Sequence, residues 1–412
     1  MAEIDGKRLL AGLHKLRSFG ASGSGVVRQT FSDPDMAARR WLCDELTLAG
    51  LVASIDGVGN VVGRSQNPGP ALIIGSHSDT QPNGGWLDGA MGVMYAIEIA
   101  RALREDPATA HLAVDAVAWS DEEGTYTTFL GSNSFVGDLT DSMLQDANAE
   151  GETVAEAIER VGLTGTPRQR LDLGRHVAYL EPHIEQGPHL EDAGLRVGVV
   201  TSIVGIRSMR VTFVGEQNHA GSTPMARRKD AGAALFAYAV TLRERLAEVA
   251  GPVSVWNIGN ARLLPGGESI IPGRAEMVIQ FRDPSERVLD AMEAAVVAVA
   301  TAMNDDGPVE VTVVPQRQPV APADMDPELR GHLAAAAEQR VPAEWVDMPS
   351  AAVHDAMVIS HHLPCAMLFI PSIGGVSHDF SEDSTELDIV TGCQVVADAS
   401  FSILNEQRLS IG

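Results

Sequence analysis

The order of apolar and polar positions divides the chain into alternating helix-like and strand-like segments. "MAEIDGKRLLAGLHKL" sets apolar residues at helical spacing behind acids, which predicts an amphipathic helix rather than a leader sequence. A helix is expected over 35–50, then two short strands around the glycine turn of "VASIDGVGNVVGRS". "ALIIGSH" and "CAMLFIPS" read as buried strands, "LAVDAVAWS" and "VAYLEPHIE" as further strands, with a helix over 89–105 between the first two in the chain. Strands alternating with helices imply an α/β fold with a mainly parallel sheet.

Near residue 205 the texture changes. "GIRSMRVTFVG" alternates like a half-exposed strand, and a helix over 228–249 follows it. Strands near 252–262 and 274–283, a helix over 285–304 and the strand "VEVTVVP" complete the order βαββαβ. That order is the pattern of a ferredoxin-like α+β layer. The expected layout is therefore one α/β domain, 1–204 and 318–412, interrupted by an inserted domain over 205–317.

Composition narrows the function classes. A formal net charge of −25 opposes sequence-independent nucleic-acid binding, which needs Lys and Arg to neutralise phosphates, and it disfavours anionic membranes. It suits a soluble globule that binds cations. Three cysteines, Cys43, Cys365 and Cys393, form no paired motif, so a reducing, cytoplasmic setting is expected. No run approaches the 18 or so apolar residues of a membrane span.

The chemistry gathers at strand ends. "ALIIGS" runs into His77 and Asp79, and "AVAWS" into Asp121, Glu122 and Glu123. "VAYLEP" runs into His183 and Glu185, and "AMLFIPS" into the loop carrying His378. Ligands of open α/β sheets collect outside the carboxyl ends of strands. Each residue also has an ordinary reading. Asp88 could cap the helix after it, and Glu122–Glu123 could be a solvated pair. His183 could be a hydrogen-bonded core histidine, and His378 a loop residue. Taken together, three imidazoles and several carboxylates at one sheet edge suit two divalent ions such as zinc, manganese or cobalt.

Five strings, in order along most of the chain, carry a resemblance. "GSHSDTQPNGGWLDGAMGV", "DEEG", "EPHIEQGPHLE", "GEQNHAGSTPM" and "VSHDFSE" are similar to motifs of the M20 metallohydrolases. The similarity is greatest to the amidase/hydantoinase/carbamoylase branch, which includes N-carbamoyl-L-amino-acid hydrolases, allantoate amidohydrolases and β-alanine synthases. The resemblance implies two divalent ions per subunit (zinc, manganese, cobalt or nickel). His77 and His183 would hold one, Glu123 and His378 the other, and Asp88 would bridge them. It implies Glu122 as general base and Asp79 as the group orienting the His77 imidazole. It makes 205–317 a lid and dimerisation domain. From that domain His219, otherwise a turn residue, would donate to the oxyanion across a homodimer interface. Arg282 would grip a substrate carboxylate, and Gln186 would lie beside the substrate.

Some positions depart from the branch as read here. Ile206 stands where a glutamine is common, and Ser269 where an asparagine is. Tyr126 and Asn133 stand where arginines are common. These substrate-facing positions imply retained chemistry with a less polar or differently shaped substrate, and a doubly ureido substrate such as allantoate fits less well. The expected activity is metal-dependent hydrolysis of a linear amide or ureido C–N bond in a small carboxylate-bearing molecule. The rivals are an M20 aminoacylase or peptidase acting on N-acyl amino acids, and an inactive, metal-free binding scaffold.

Overall fold

The computed structural model of the chain describes residues 2–411. Helix α1 (Gly6–Arg17) starts where Asp5 accepts hydrogen bonds from the Lys7 and Arg8 amides, and α2 (Asp33–Leu48) where Ser32 caps and a proline follows. Strands β1 (Val52–Ile55), β2 (Val61–Arg64) and β3 (Ala71–His77) precede α3 (Ala90–Glu105). Next come β4 (Ala113–Trp119), β5 (His176–Ile184) and β6 (Val197–Ile203). The βαββαβ segment comprises β7 (Gly205–Val214), α4 (Ala231–Val249), β8 (Val255–Leu264), β9 (Arg274–Asp283), α5 (Glu286–Asp306) and β10 (Glu310–Pro315). The chain ends with α6 (Pro327–Arg340), β11 (Trp345–Ser350), β12 (Cys365–Ile370) and α7 (Glu386–Ile411).

Two compact units result. The first joins residues up to Thr201 with those from Asp324 onward, and the second is Ser202–Ala323. The main sheet of the first unit runs β6–β12–β5–β3–β4–β2–β1, with β11 and the two-residue strand Ala323–Asp324 also pairing there. Its central four strands, β12, β5, β3 and β4, are mutually parallel, whereas β2, β1 and β6 join antiparallel. Every residue of β3, β4 and β12 is buried. That explains their near-continuous apolar sequence, since a parallel sheet is covered on both faces.

In the second unit the strand order is β8–β9–β7–β10, all antiparallel, and α4 and α5 bury a core of Met209, Val211, Phe213, Tyr238, Phe281 and Leu289 among others. This is the ferredoxin-like order expected from the sequence. Helix α7 has the length and apolarity of a membrane span over Glu386–Gln407, but 72% of its most apolar stretch is buried, as a core helix requires. The three cysteines are unpaired thiols.

Candidate metal centre

The four parallel strands end level with one another. His77 on β3 lies beside Trp119 on β4, and His183 on β5 beside Phe369 on β12. At two of these ends the chain turns through a left-handed residue, with φ of 56° at Asp121 and 58° at Gln186, and His378, in the loop after β12, is left-handed too at 54°. Such turns let a strand stop abruptly and aim the next side chains over the sheet edge.

Asp88 sits at the focus. It does not cap α3, whose N-terminal position is taken by Gly89 with no side-chain cap. Instead Oδ1 of Asp88 lies 3.1 Å from His183 Nε2 and 3.5 Å from His77 Nε2, and Oδ2 lies 3.3 Å from His378 Nε2. Glu123 Oε2 is 3.7 Å from the same His378 nitrogen. The five residues form two overlapping donor groups, His77–Asp88–His183 and Asp88–Glu123–His378, each with its ligand atoms within 4.8 Å of one another. Donors about 2.0–2.2 Å from a tetrahedral ion lie about 3.3–3.6 Å apart. The observed spacings bracket that value and exceed an ordinary charge-assisted hydrogen bond. Glu123 Oε1 is buried with no hydrogen-bond partner, a costly arrangement that a cation would relieve.

The imidazoles are aimed by main chain. The Asp79 carbonyl lies 3.0 Å from His77 Nδ1 and the Ile184 carbonyl 2.9 Å from His183 Nδ1, so each ring donates there and turns Nε2 towards Asp88. Asp79 therefore orients His77 differently from the expectation. Its carboxylate is 3.9 Å from Nδ1, while Oδ2 accepts the Glu123 amide at 3.2 Å. One residue thus ties two donor-bearing strand ends together. Glu122 is buried rather than solvated, with Oε2 3.6 Å from His77 Nε2, and it belongs to neither donor group. Asp121 and Glu185 are spent locally. Asp121 accepts the amides of Thr125, Tyr126 and Thr127, and Glu185 those of His189 and Leu190.

Burial sets the electrostatics. It pushes Glu122 well above the usual carboxylate range, and Glu123 to about 7 with help from Asp88. The hydrogen bond to Asp88 raises His378 to about 9. Asp88 is held far down against its burial by hydrogen bonds from His183, His378 and His77.

Two further partners were not among the expected site residues. Glu382, at the end of "VSHDFSE", accepts the Leu87 and Asp88 amides. His354 packs its ring 4.5 Å from that of His183, and burial drives its pKa far down. The "HDAM" string that carries it, on no apolar run, was the available hint.

Other expected residues lie elsewhere. Gln186 joins the group, with Nε2 3.1 Å from Asp88 Oδ2. Tyr126 does not. Its ring is in a satellite core with Phe31 and Leu130, and its hydroxyl donates to Glu152 at 2.7 Å. Asn133 spends its amide on the Phe129 carbonyl in its own helical turn, 2.8 Å away. Four residues belong to the second unit. There the Ala220 amide donates to the Ser269 carbonyl at 2.9 Å, which sets Ser269 next to the His219 turn, and Ile206 is the cross-strand neighbour of Arg282. Two of the four departures from the branch pattern, Ile206 and Ser269, thus neighbour the two residues that the resemblance singles out in this unit. Nδ1 of His219 accepts the Gly221 and Ser222 amides at 3.0 and 3.1 Å, which puts the ring proton on Nε2.

Residues 73–401 match the family model described as peptidase family M20/M25/M40. The chain belongs to that family. Within it, the chain is 33% identical to an N-carbamoyl-L-amino acid amidohydrolase from Geobacillus stearothermophilus, covering 95% of this chain and 97% of that one. It is 32% identical to an allantoate amidohydrolase from Bacillus subtilis, over 94% and 95%. A crystal structure of an amidase of the hydantoinase/carbamoylase family from Burkholderia phymatum superposes with a TM-score of 0.95 at 50% identity, over 99% and 100% of the two chains. This member of the hydantoinase/carbamoylase branch is a metal-dependent amidohydrolase of linear C–N bonds.

Proposed function

We propose that this amidohydrolase cleaves the carbamoyl C–N bond of an N-carbamoyl L-amino acid or a closely similar ureido acid, at a centre of two divalent ions per subunit. The observation that carries the reading is Asp88, whose two oxygens are shared between two donor groups at metal-ligand spacing. His77 and His183 would hold one ion, Glu123 and His378 the other, and Asp88 both. Zinc, manganese, cobalt and nickel all accept such a set of nitrogen and oxygen donors. Bound ions would polarise the scissile carbonyl and acidify a water.

Glu122 is then the general base. It is buried beside the donors yet outside both groups, so its carboxylate can take a proton from water and return it to the leaving nitrogen. His219, with its proton on Nε2, is suited to donate to the oxyanion. Arg282 supplies a planar fork for a carboxylate, and Gln186 an amide for the ureido group. Residues 202–323 would serve as lid and dimerisation domain. Strand β8 is an open sheet edge, and α4 exposes Phe236 (61%) and Val240 (64%), features that a second copy of the chain would cover. Three unpaired thiols support a cytoplasmic setting.

The test is a metal-stripped preparation reconstituted with zinc, manganese, cobalt or nickel and assayed for amine or ammonia release. The panel contains N-carbamoyl, N-formyl and N-acyl amino acids and a doubly ureido acid. Restored activity with preference for N-carbamoyl substrates is expected. Preference for N-acyl substrates would replace the reading with an acylase, and no turnover with any ion would overturn it.

A further inference from the structure

Glu382 belongs to neither donor group, yet it holds parts of both. Its side chain is buried, with Oε1 accepting the amides of Leu87 (3.1 Å) and Asp88 (3.0 Å) and Oε2 accepting the Ser377 hydroxyl at 2.8 Å. Ser377 has a single hydroxyl proton. The 2.8 Å contact with Glu382 outcompetes the 3.5 Å approach to Asp88 Oδ2, so the proton goes to Glu382. The Ser377 oxygen is then left to accept from Gln186 Nε2 at 3.2 Å, and the same Gln186 amide group donates to Asp88 Oδ2 at 3.1 Å. Glu382 therefore fixes Asp88 twice, through its backbone amide directly and through its carboxylate by way of Ser377 and Gln186. It also anchors the residue before His378.

A glycine makes room for this contact. A Cβ on Gly85 would lie 1.9 Å from Glu382 Oε1, although the Gly85 backbone is not left-handed.

We propose that Glu382 is a positioning residue that clasps the 82–88 loop to the 371–384 loop, aiming Asp88 and His378 for ion binding. The inference rests on the proposed metal centre. Its test measures divalent-ion affinity by chelator competition, using zinc alone, together with thermal melting. Glu382→Ala should weaken zinc binding about 10–100-fold, the usual effect of losing a partner that orients metal ligands. Gly85→Ala keeps the glutamate and only forces it aside, so it should give a similar loss even if Glu382→Ala folds poorly. The double variant should be no weaker than the worse single, since both act through one contact. Glu382→Gln keeps an acceptor for the two amides and should recover most of the affinity. A role in stability alone would lower the melting temperature and leave zinc affinity unchanged in Glu382→Ala and Gly85→Ala, which would overturn the proposal. So would Glu382→Gln binding as weakly as Glu382→Ala. Failure of the wild-type protein to bind zinc, manganese, cobalt or nickel would instead overturn the metal centre itself, a separate result.

Discussion

At the residue scale, one carboxylate organises the centre, and proton occupancy decides what it can hold. In the metal-free protein the hydrogen bond to Asp88 raises His378 to about 9. Below that pH a proton sits on the nitrogen an ion needs. Divalent-ion affinity should therefore climb as pH rises through about 9, with proton release visible by calorimetry in buffers of different ionisation enthalpy. The linkage to folding has the opposite sense. A folded-state value above 6.5 means that this pair stabilises the metal-free protein fully below 6.5 and loses that contribution as pH rises through about 9. An affinity that did not vary with pH would count against His378 as a ligand. Glu122→Gln should keep ion binding while lowering kcat about 10²–10⁴-fold, the usual cost of removing a positioned base. Converging strand ends made His77, Glu122, Glu123, His183 and His378 candidates, whereas the choice of donors among them, and of Asp88 before its helix, came from the motif resemblance. The main-chain acceptance by Asp79 was not legible, because no side-chain pattern reports where a carbonyl points.

At the scale of elements, the periodicity located the strands and helices that carry the centre, and the structure adds how tightly their junctions are drawn. Gly89 joins the Asp88 loop to α3 with φ 62°, and a Cβ there would lie 2.4 Å from His77 Nε2. Gly89→Ala should combine about 1–3 kcal/mol of backbone strain with displacement of an imidazole. A lower melting temperature together with sub-stoichiometric metal by elemental analysis is expected, and full metal content would show that the loop adapts. Tyr126 and Asn133 illustrate the limit of reading by motif position. They follow the Glu122–Glu123 strand end in sequence, but the Asp121 turn folds Tyr126 back into a separate small core, and a short helix consumes the Asn133 amide.

For the whole molecule, one unit holds a nine-stranded sheet that carries the candidate donors and the other a four-stranded sheet with an open edge. Phe236 and Val240 lie one helical turn apart on the outer face of α4, both largely exposed. On the proposed dimer, Glu at both positions should yield monomers by light scattering without changing metal content, and an unchanged dimer mass would exclude this face. The sequence by itself determined the class of fold, the insertion of a βαββαβ unit and the kinds of candidate donor side chain. Burial periodicity and strand-end chemistry are local properties written residue by residue. Only the tertiary structure decided that Asp88 faces three imidazoles rather than capping its helix. It alone joined Glu382, nearly three hundred residues away in sequence, to the amide of Asp88. The reason is physical. Such contacts are made across loops closed by the sheet, where spacing along the chain carries no record of distance in space.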